Sequence, residues 1–243
     1  MAANKIVVWD PGHGGIDTGA VGNGLMEKDI TLRIATEAAK RLMAQYIGVT
    51  SYMTRSTDVF VELSARTDLA NAAKASLLVS IHCNSGGGAG GFESYTYSGT
   101  SDNMTAYLQN VLHTETMTQL KPFSVIDRGQ KKENFHMLRE SKMPSVLTEN
   151  LFVDVASDAA KLKNPAVIDA LVNGHVLGVA KTLGLIQKPS DPNAVTIAVD
   201  GQVITPGINM NGTTYAPVRA VAESLGATVS WNQAERRVDI KTK

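Results

Sequence analysis

From Lys5 to Leu183 the chain alternates short apolar runs with longer stretches whose apolar residues recur at helical spacing. No other feature restricts the possible folds as strongly. Lys5–Trp9, Val49–Thr54, Ser76–Ile81, Phe92–Tyr97, Phe135–Arg139 and Ser145–Glu149 read as strands. Asp29–Tyr46 puts Ile30, Ile34, Ala38 and Leu42 on one stripe and Arg33, Glu37, Lys40 and Arg41 off it, a helical pattern. Val61–Lys74 repeats it with Leu63, Ala70 and Ala73, and Ser101–Leu120 with Met104, Leu108, Val111 and Leu112 inward. Asn164 as N-cap and Pro165 in the first turn open a last long helix to Leu183. Strands separated by helices predict an α/β fold with a largely parallel sheet flanked by helices, whose ligands sit at the carboxyl ends of the strands.

The pattern breaks at Gln187-Lys-Pro-Ser-Asp-Pro-Asn-Ala194, a proline-rich linker composition. The expected organisation is a large domain over 1–187, a linker over 188–193 and a small α+β domain over 194–243. In the last, Ala194–Val199 and Gln202–Ile204 flank a hairpin turn at Asp200-Gly201. A helix over Tyr215–Leu225, with Val218, Val221, Ala222 and Leu225 at helical spacing, closes at Gly226. Val229–Trp231 and Arg237–Lys241 form a second hairpin. A unit of this size is marginal on its own. Tyr215 and Trp231 are read as its core rather than as sugar-stacking platforms.

Charge excludes one function class. Lys+Arg and Asp+Glu are both 23, so the net charge is zero, without the basic excess that nucleic-acid binding usually shows. Cys83 is the single cysteine, which excludes an intramolecular disulfide framework. No apolar run approaches the ~18 residues of a transmembrane segment, so none is expected. Met1–Lys5 leads straight into Ile6–Trp9 without the basic and then apolar regions of a secretory signal. The expectation is a protein made in the cytoplasm.

Four side chains stand where chemistry is done in such folds. His13 lies in Asp10-Pro-Gly-His-Gly-Gly15 after the first strand, and Glu27 just before the first helix. His82 and Glu149 end two later strands. Two imidazoles and a carboxylate make a three-ligand zinc set with an open fourth position, and a second carboxylate beside it could move protons. Each has a plainer reading. The glycine-rich turn resembles a phosphate cradle, although GxGxxG spacing is absent. His13 reads equally as a loop histidine, and Glu27 as an acid favoured by the helix dipole. His113 reads as a surface residue, His175 as a packed core histidine and Cys83 as a small buried side chain. His136 reads as structural, with the border of the cleft as its alternative.

Asp10-Pro-Gly-His-Gly-Gly15, Glu27, Thr54-Arg55 with Asp58, Leu63 through Arg66, Ala70-Asn71, Ser80-Ile-His-Cys-Asn84, Arg128-Gly129, Phe135 with Leu138-Arg139, and Pro144-Ser-Val-Leu-Thr-Glu149 occur in order. Together they resemble the zinc-dependent N-acetylmuramoyl-L-alanine amidases of the Amidase_3 family over roughly residues 4–184. The resemblance implies a twisted sheet between helices, one Zn²⁺ on His13, Glu27 and His82, and Glu149 as the catalytic carboxylate. The bond implied is the amide between N-acetylmuramic acid and L-alanine of the peptidoglycan stem. Asp10 is expected to orient His13 through its other ring nitrogen. Asn84 and Arg139 are candidates for holding substrate amide or carboxylate groups. A wall-binding module with a dead site and a zinc peptidase cutting within the stem are the competing readings.

Val199-Asp-Gly201, Thr214 through Arg219, Glu223 through Ala227 and Val229-Ser-Trp231 resemble the copper amine oxidase N-terminal-like, or stalk, domain. Residues 194–243 hold no His or Cys and only Met210 among methionines, so no metal is expected there. The expected role is attachment to a cell wall, of Gram-positive type by analogy. An enzyme of this kind without a leader fits a phage or prophage endolysin that reaches the wall when the membrane opens.

Overall fold

The computed structural model describes residues 4–188 and 194–242. Most of the expected linker, 189–193, therefore lies outside the described residues, as do residues 1–3 of the segment read for a leader. The described chain forms two compact units, one over Asn4–Ile186 and one from Gln187 onward.

The larger unit is built on strands β1 (Lys5–Pro11), β2 (Val49–Met53), β3 (Leu77–Asn84), β4 (Phe92–Tyr97), β5 (Asp127–Glu133) and β6 (Ser145–Phe152). Its helices are α1 (Glu27–Gln45), α2 (Leu63–Ala72), α3 (Asn103–Leu120), α4 (His136–Arg139), α5 (Ala156–Lys163) and α6 (Pro165–Leu183). The sheet order is β2-β1-β3-β6-β4-β5. Every pairing is parallel except β6 with β4, which is antiparallel. The chain has the expected α/β fold.

The apolar stripes bury as their spacing predicts. Ile34, Ala38 and Leu42 of α1 are fully buried with Val7, Trp9, Val79 and Ile81 of β1 and β3. Each such large side chain contributes about 1.5–3 kcal/mol of transfer free energy. The helix α6 crosses α3 at close range. A Cβ on Gly174 or Gly178 would fall 2.4 Å from Thr116 Cα or 2.6 Å from Leu112 Cα, so only glycine permits that contact. By length and composition α6 also passes as long and apolar enough for a membrane span, but about two thirds of it is buried inside the protein, as in a core helix.

Several expectations are corrected. Phe135–Arg139 is not a strand but carries the single-turn helix α4, in which the consecutive residues Met137 and Leu138 are both buried. An alternating strand cannot bury neighbours on one face, and five residues were too few to separate the two periods. The strand β5 was missed because it is an edge strand of charged and polar residues with no hydrophobic alternation. The strands β3 and β6 run past their expected ends, so His82 and Glu149 lie inside them. Met104 is exposed rather than inward. His113 is buried rather than on the surface: Ser94 Oγ lies 2.9 Å from its Nδ1 and Asp127 Oδ1 2.9 Å from its Nε2. His175 and Cys83 are buried as read.

The smaller unit comprises β7 (Ala194–Val199), β8 (Gln202–Met210), β9 (Thr213–Tyr215), α7 (Val218–Ser224), β10 (Thr228–Asn232) and β11 (Arg237–Lys241). The first three make an antiparallel sheet and the last two a hairpin. Tyr215 and Trp231 are each about half exposed, at 54% and 51%, so they are not the core of this unit.

Candidate metal centre

Three sequence-distant segments meet at the carboxyl ends of β1 and β3. His13 follows β1 in the left-handed region, at φ 62°, a conformation costly for a side chain of its size and concentrated at functional sites. Buried arginines hold that turn. Arg55 donates to the carbonyls of Pro11 (3.0 Å) and Gly12 (2.8 Å), and Arg66 to those of Pro11 (2.7 Å) and His13 (2.8 Å). Glu27 is the first residue of α1, and His82 stands in β3.

One ligand atom from each of His13, Glu27 and His82 lies within 4.8 Å of the others. Glu27 Oε1 is 3.1 Å from His13 Nε2 and 2.9 Å from His82 Nδ1. The same carboxylate accepts the backbone N–H groups of Cys83 (2.9 Å) and Ala20 (2.8 Å), which fix its orientation. A Cβ on Gly12 would fall 2.2 Å from His82 Cε1, and one on Gly19 2.6 Å from Glu27 Oε2 and from His13 Cδ2. The backbone thus forms a cradle closed tightly around the three donors.

The electrostatics call for a cation. Burial works to raise the Glu27 pKa, but hydrogen bonds from His13 and His82 outweigh it and hold the carboxyl well below its usual range. Burial alone would lower the His82 pKa, yet the Glu27 hydrogen bond and the charges of Glu149 and Glu27 raise it to about 9. Burial is likewise outweighed at His13, where Glu27 raises the pKa. A pocket that favours protons on both imidazoles favours positive charge in general, and a divalent ion displaces such protons when it binds. Two imidazole nitrogens and a carboxylate oxygen are the donor set of an open zinc site, so the residues present fit the metal that the resemblance implies.

Glu149 stands beside this cluster, in register with His82 across the β3–β6 pair. Its Oε2 is buried without a hydrogen-bond partner among the described residues. Burial raises its pKa to about 7, against the pull of His82 and with the help of Glu27 and Glu93.

Other candidates sit elsewhere or act differently. Asp10 does not reach His13. It accepts hydrogen bonds from Thr54 Oγ1 (2.6 Å), Ser80 Oγ (2.7 Å) and Arg66 Nη1 (3.0 Å) beneath the site. The residue that orients His13 is Asp17, whose Oδ2 lies 2.9 Å from Nδ1. Sequence reasoning passed over Asp17 because Asp10 is the acid in the glycine-rich motif. Asn84 is engaged with Glu93. Arg139 pairs with Glu140 (2.7 Å) and Asn134, away from the metal ligands, on a separate cavity with Tyr97 and Lys142. His136 is 3.5 Å from Thr67 Oγ1.

The N-acetylmuramoyl-L-alanine amidase family matches residues 7–181, and the copper amine oxidase N-terminal domain matches residues 198–243. The sporulation-specific N-acetylmuramoyl-L-alanine amidase of Bacillus subtilis (strain 168) is 47% identical over 176 residues, 72% of this chain and 67% of that protein. The endolysin of Bacillus phage SPP1 is 44% identical over 186 residues, 76% of this chain and 68% of that protein. The crystal structure of an N-acetylmuramoyl-L-alanine amidase from Clostridium difficile 630 superimposes with a TM-score of 0.71 at 34% identity, covering 75% of this chain and 98% of that one. On the family match, on these identities and on the shared fold, the chain belongs to the N-acetylmuramoyl-L-alanine amidases.

Proposed function

We propose that the protein is a zinc-dependent hydrolase that cuts the amide between the lactyl group of N-acetylmuramic acid and L-alanine of the stem peptide. The observation that carries the reading is the buried, unpartnered Oε2 of Glu149 beside the His13–Glu27–His82 cluster. A buried carboxylate oxygen without a donor is costly, and a reaction that supplies a proton there accounts for it. His13 through Nε2, Glu27 and His82 through Nδ1 would hold the ion, and Asp17 would fix the His13 ring. Zinc, when bound, supplies the positive charge that polarises the scissile carbonyl and makes water more acidic. Glu149 takes a proton from the attacking water and delivers it to the departing alanine nitrogen, without which the amine leaves poorly. The raised pKa of Glu149 suits a group that must both accept and return a proton near neutrality.

The identity to a phage endolysin supports a role in lysis of the host wall, with peptidoglycan of Gram-positive type as substrate. In this reading residues 1–187 are catalytic, 188–193 link, and 194–243 hold the wall. Digestion of purified peptidoglycan tests the activity. The expected products are free alanine amino groups without new reducing sugars; new ends only within the stem would reject the reading.

A further inference from the structure

The sheet sets four residues in one lateral row. His82 on β3 is in register with Glu149 on β6, and Glu149 with Glu93 on β4. Opposite Glu93, between the pairs Phe92–Asp127 and Ser94–Gln130, the edge strand β5 bulges and places both Arg128 and Gly129 against one residue. Gly129, at φ 86°, supplies the backbone conformation. Bulges beside active sites re-aim side chains, and this one turns Arg128 back along the row. Arg128 Nε donates to Glu93 Oε2 at 2.8 Å, and Lys131 Nζ donates to the same oxygen. Tyr95 Oη and Asn84 Nδ2 donate to Glu93 Oε1.

Glu93 is buried, so a partner cation is expected. One cation neutralises it; the second is a positive charge that Glu93 does not need, with Glu149 one strand away as the other acid of the row. No second acidic side chain among the described residues pairs with Arg128 or Lys131. Both are about one third exposed, at 31% and 39%, and Arg128 is further fixed over the Phe152 ring at 4.7 Å. Two cations therefore stand where an anionic group can reach them, and Arg128 is held by both Glu93 and the Phe152 ring. Around the metal ligands the lining differs: a cavity of about 320 Å³ joins His13 and His82 to Phe60, Val61 and Leu63. The row thus carries two cations at its β5 edge, and apolar side chains stand beside the metal ligands at the β1 end.

Strands lie ~4.8 Å apart, so Glu93 is about one spacing from Glu149. An extended peptide advances ~3.3 Å per residue, which brings the residue after the alanine to the cationic end. We propose that Arg128 and Lys131, aligned on Glu93, recognise a free carboxylate on the second residue of the stem peptide and are the specificity-determining residues of the cleft. The assignment rests on the amidase reading and adds the direction in which substrate lies: peptide toward β5, muramyl group toward Phe60 and Leu63.

Two synthetic muramyl dipeptides test it, one with a free carboxylate on the second residue and one with that group amidated. Charge-assisted contacts of this type change binding by roughly 10-fold or more. The wild-type protein is expected to show a KM about 10-fold lower for the acid, with similar kcat. Lys131→Gln and Arg128→Gln abolish the discrimination by raising KM for the acid alone, and Lys131→Arg restores it. Equal KM values in the wild type, or variants that lose both substrates in proportion, would overturn the assignment. Calorimetric titration of both compounds separates the two readings. Preferential binding of the acid with no alanine amine released from either compound rejects the amidase and leaves the carboxylate site standing. Absence of preference in both readouts rejects the site.

Discussion

Glu149 and His82 face the cleft side by side on adjacent parallel strands, the imidazole tied to Glu27 and the carboxylate oxygen Oε2 tied to nothing among the described residues. The difference matches the two proposed roles, holding a metal and moving a proton. Glu149→Gln should keep the metal and lose turnover by roughly 10²–10⁴-fold, the range of general acid–base catalysis. His82→Ala should lose both. Elemental analysis alongside amine release checks the pair, and full turnover in Glu149→Gln would remove that residue from the chemistry.

Asp17 is the test of how the His13 ring is held. Hydrogen bonds from the Gly19 N–H and from His13 outweigh burial and keep its carboxyl below the usual range. It is therefore an anion facing Nδ1, which directs Nε2 toward Glu27. Asp17→Asn should weaken zinc affinity by about 10–100-fold, the usual effect of removing a partner behind a ligating histidine. Competition with a chromophoric chelator measures it, and unchanged affinity would show that the Asp17 contact does not set the ring.

The metal cluster was legible because its members announce themselves locally: a histidine in a glycine-rich turn, another late in a buried strand, a carboxylate at a helix start. The cation pair on Glu93 was not. Arg128 and Lys131 lie in a polar edge strand without hydrophobic alternation, and a sequence gives no sign that two cations share one buried Glu93. Asp10 misled for a related reason. Strand alternation and the left-handed turn at His13 carry the acid beneath the site and the ring away from it, and neither turn nor register is written in residue type. Phe135–Arg139 misled because a run of that length satisfies two periods at once.

Asp10 instead carries stability. Its carboxylate is buried with Arg66 Nη1 at 3.0 Å and accepts from Thr54 and Ser80 as well. Removing one partner of a buried pair strands the other charge. Arg66→Met should cost about 3–5 kcal/mol, read as a lower denaturant midpoint. It also frees the carbonyl of His13 and leaves that of Pro11 to Arg55 alone, so metal affinity should fall with it. A midpoint within error of the wild type would show that water takes over both roles.

His175 should give the fold an acid limit independent of the active site. It is fully buried on α6, with its Nδ1 2.7 Å from the Leu171 carbonyl and its Nε2 2.9 Å from Thr148 Oγ1. Burial pushes its pKa down from 6.5 to about 4, against a small contribution from the Leu171 carbonyl. The unfolded chain therefore binds a proton that the folded chain refuses between those values. Stability from this group is fully present above pH 6.5 and is lost as pH falls toward 4, by up to ~3 kcal/mol. His175→Leu should flatten the dependence of the denaturant midpoint on pH across that window. A slope as steep as that of the wild type would place the acid sensitivity elsewhere.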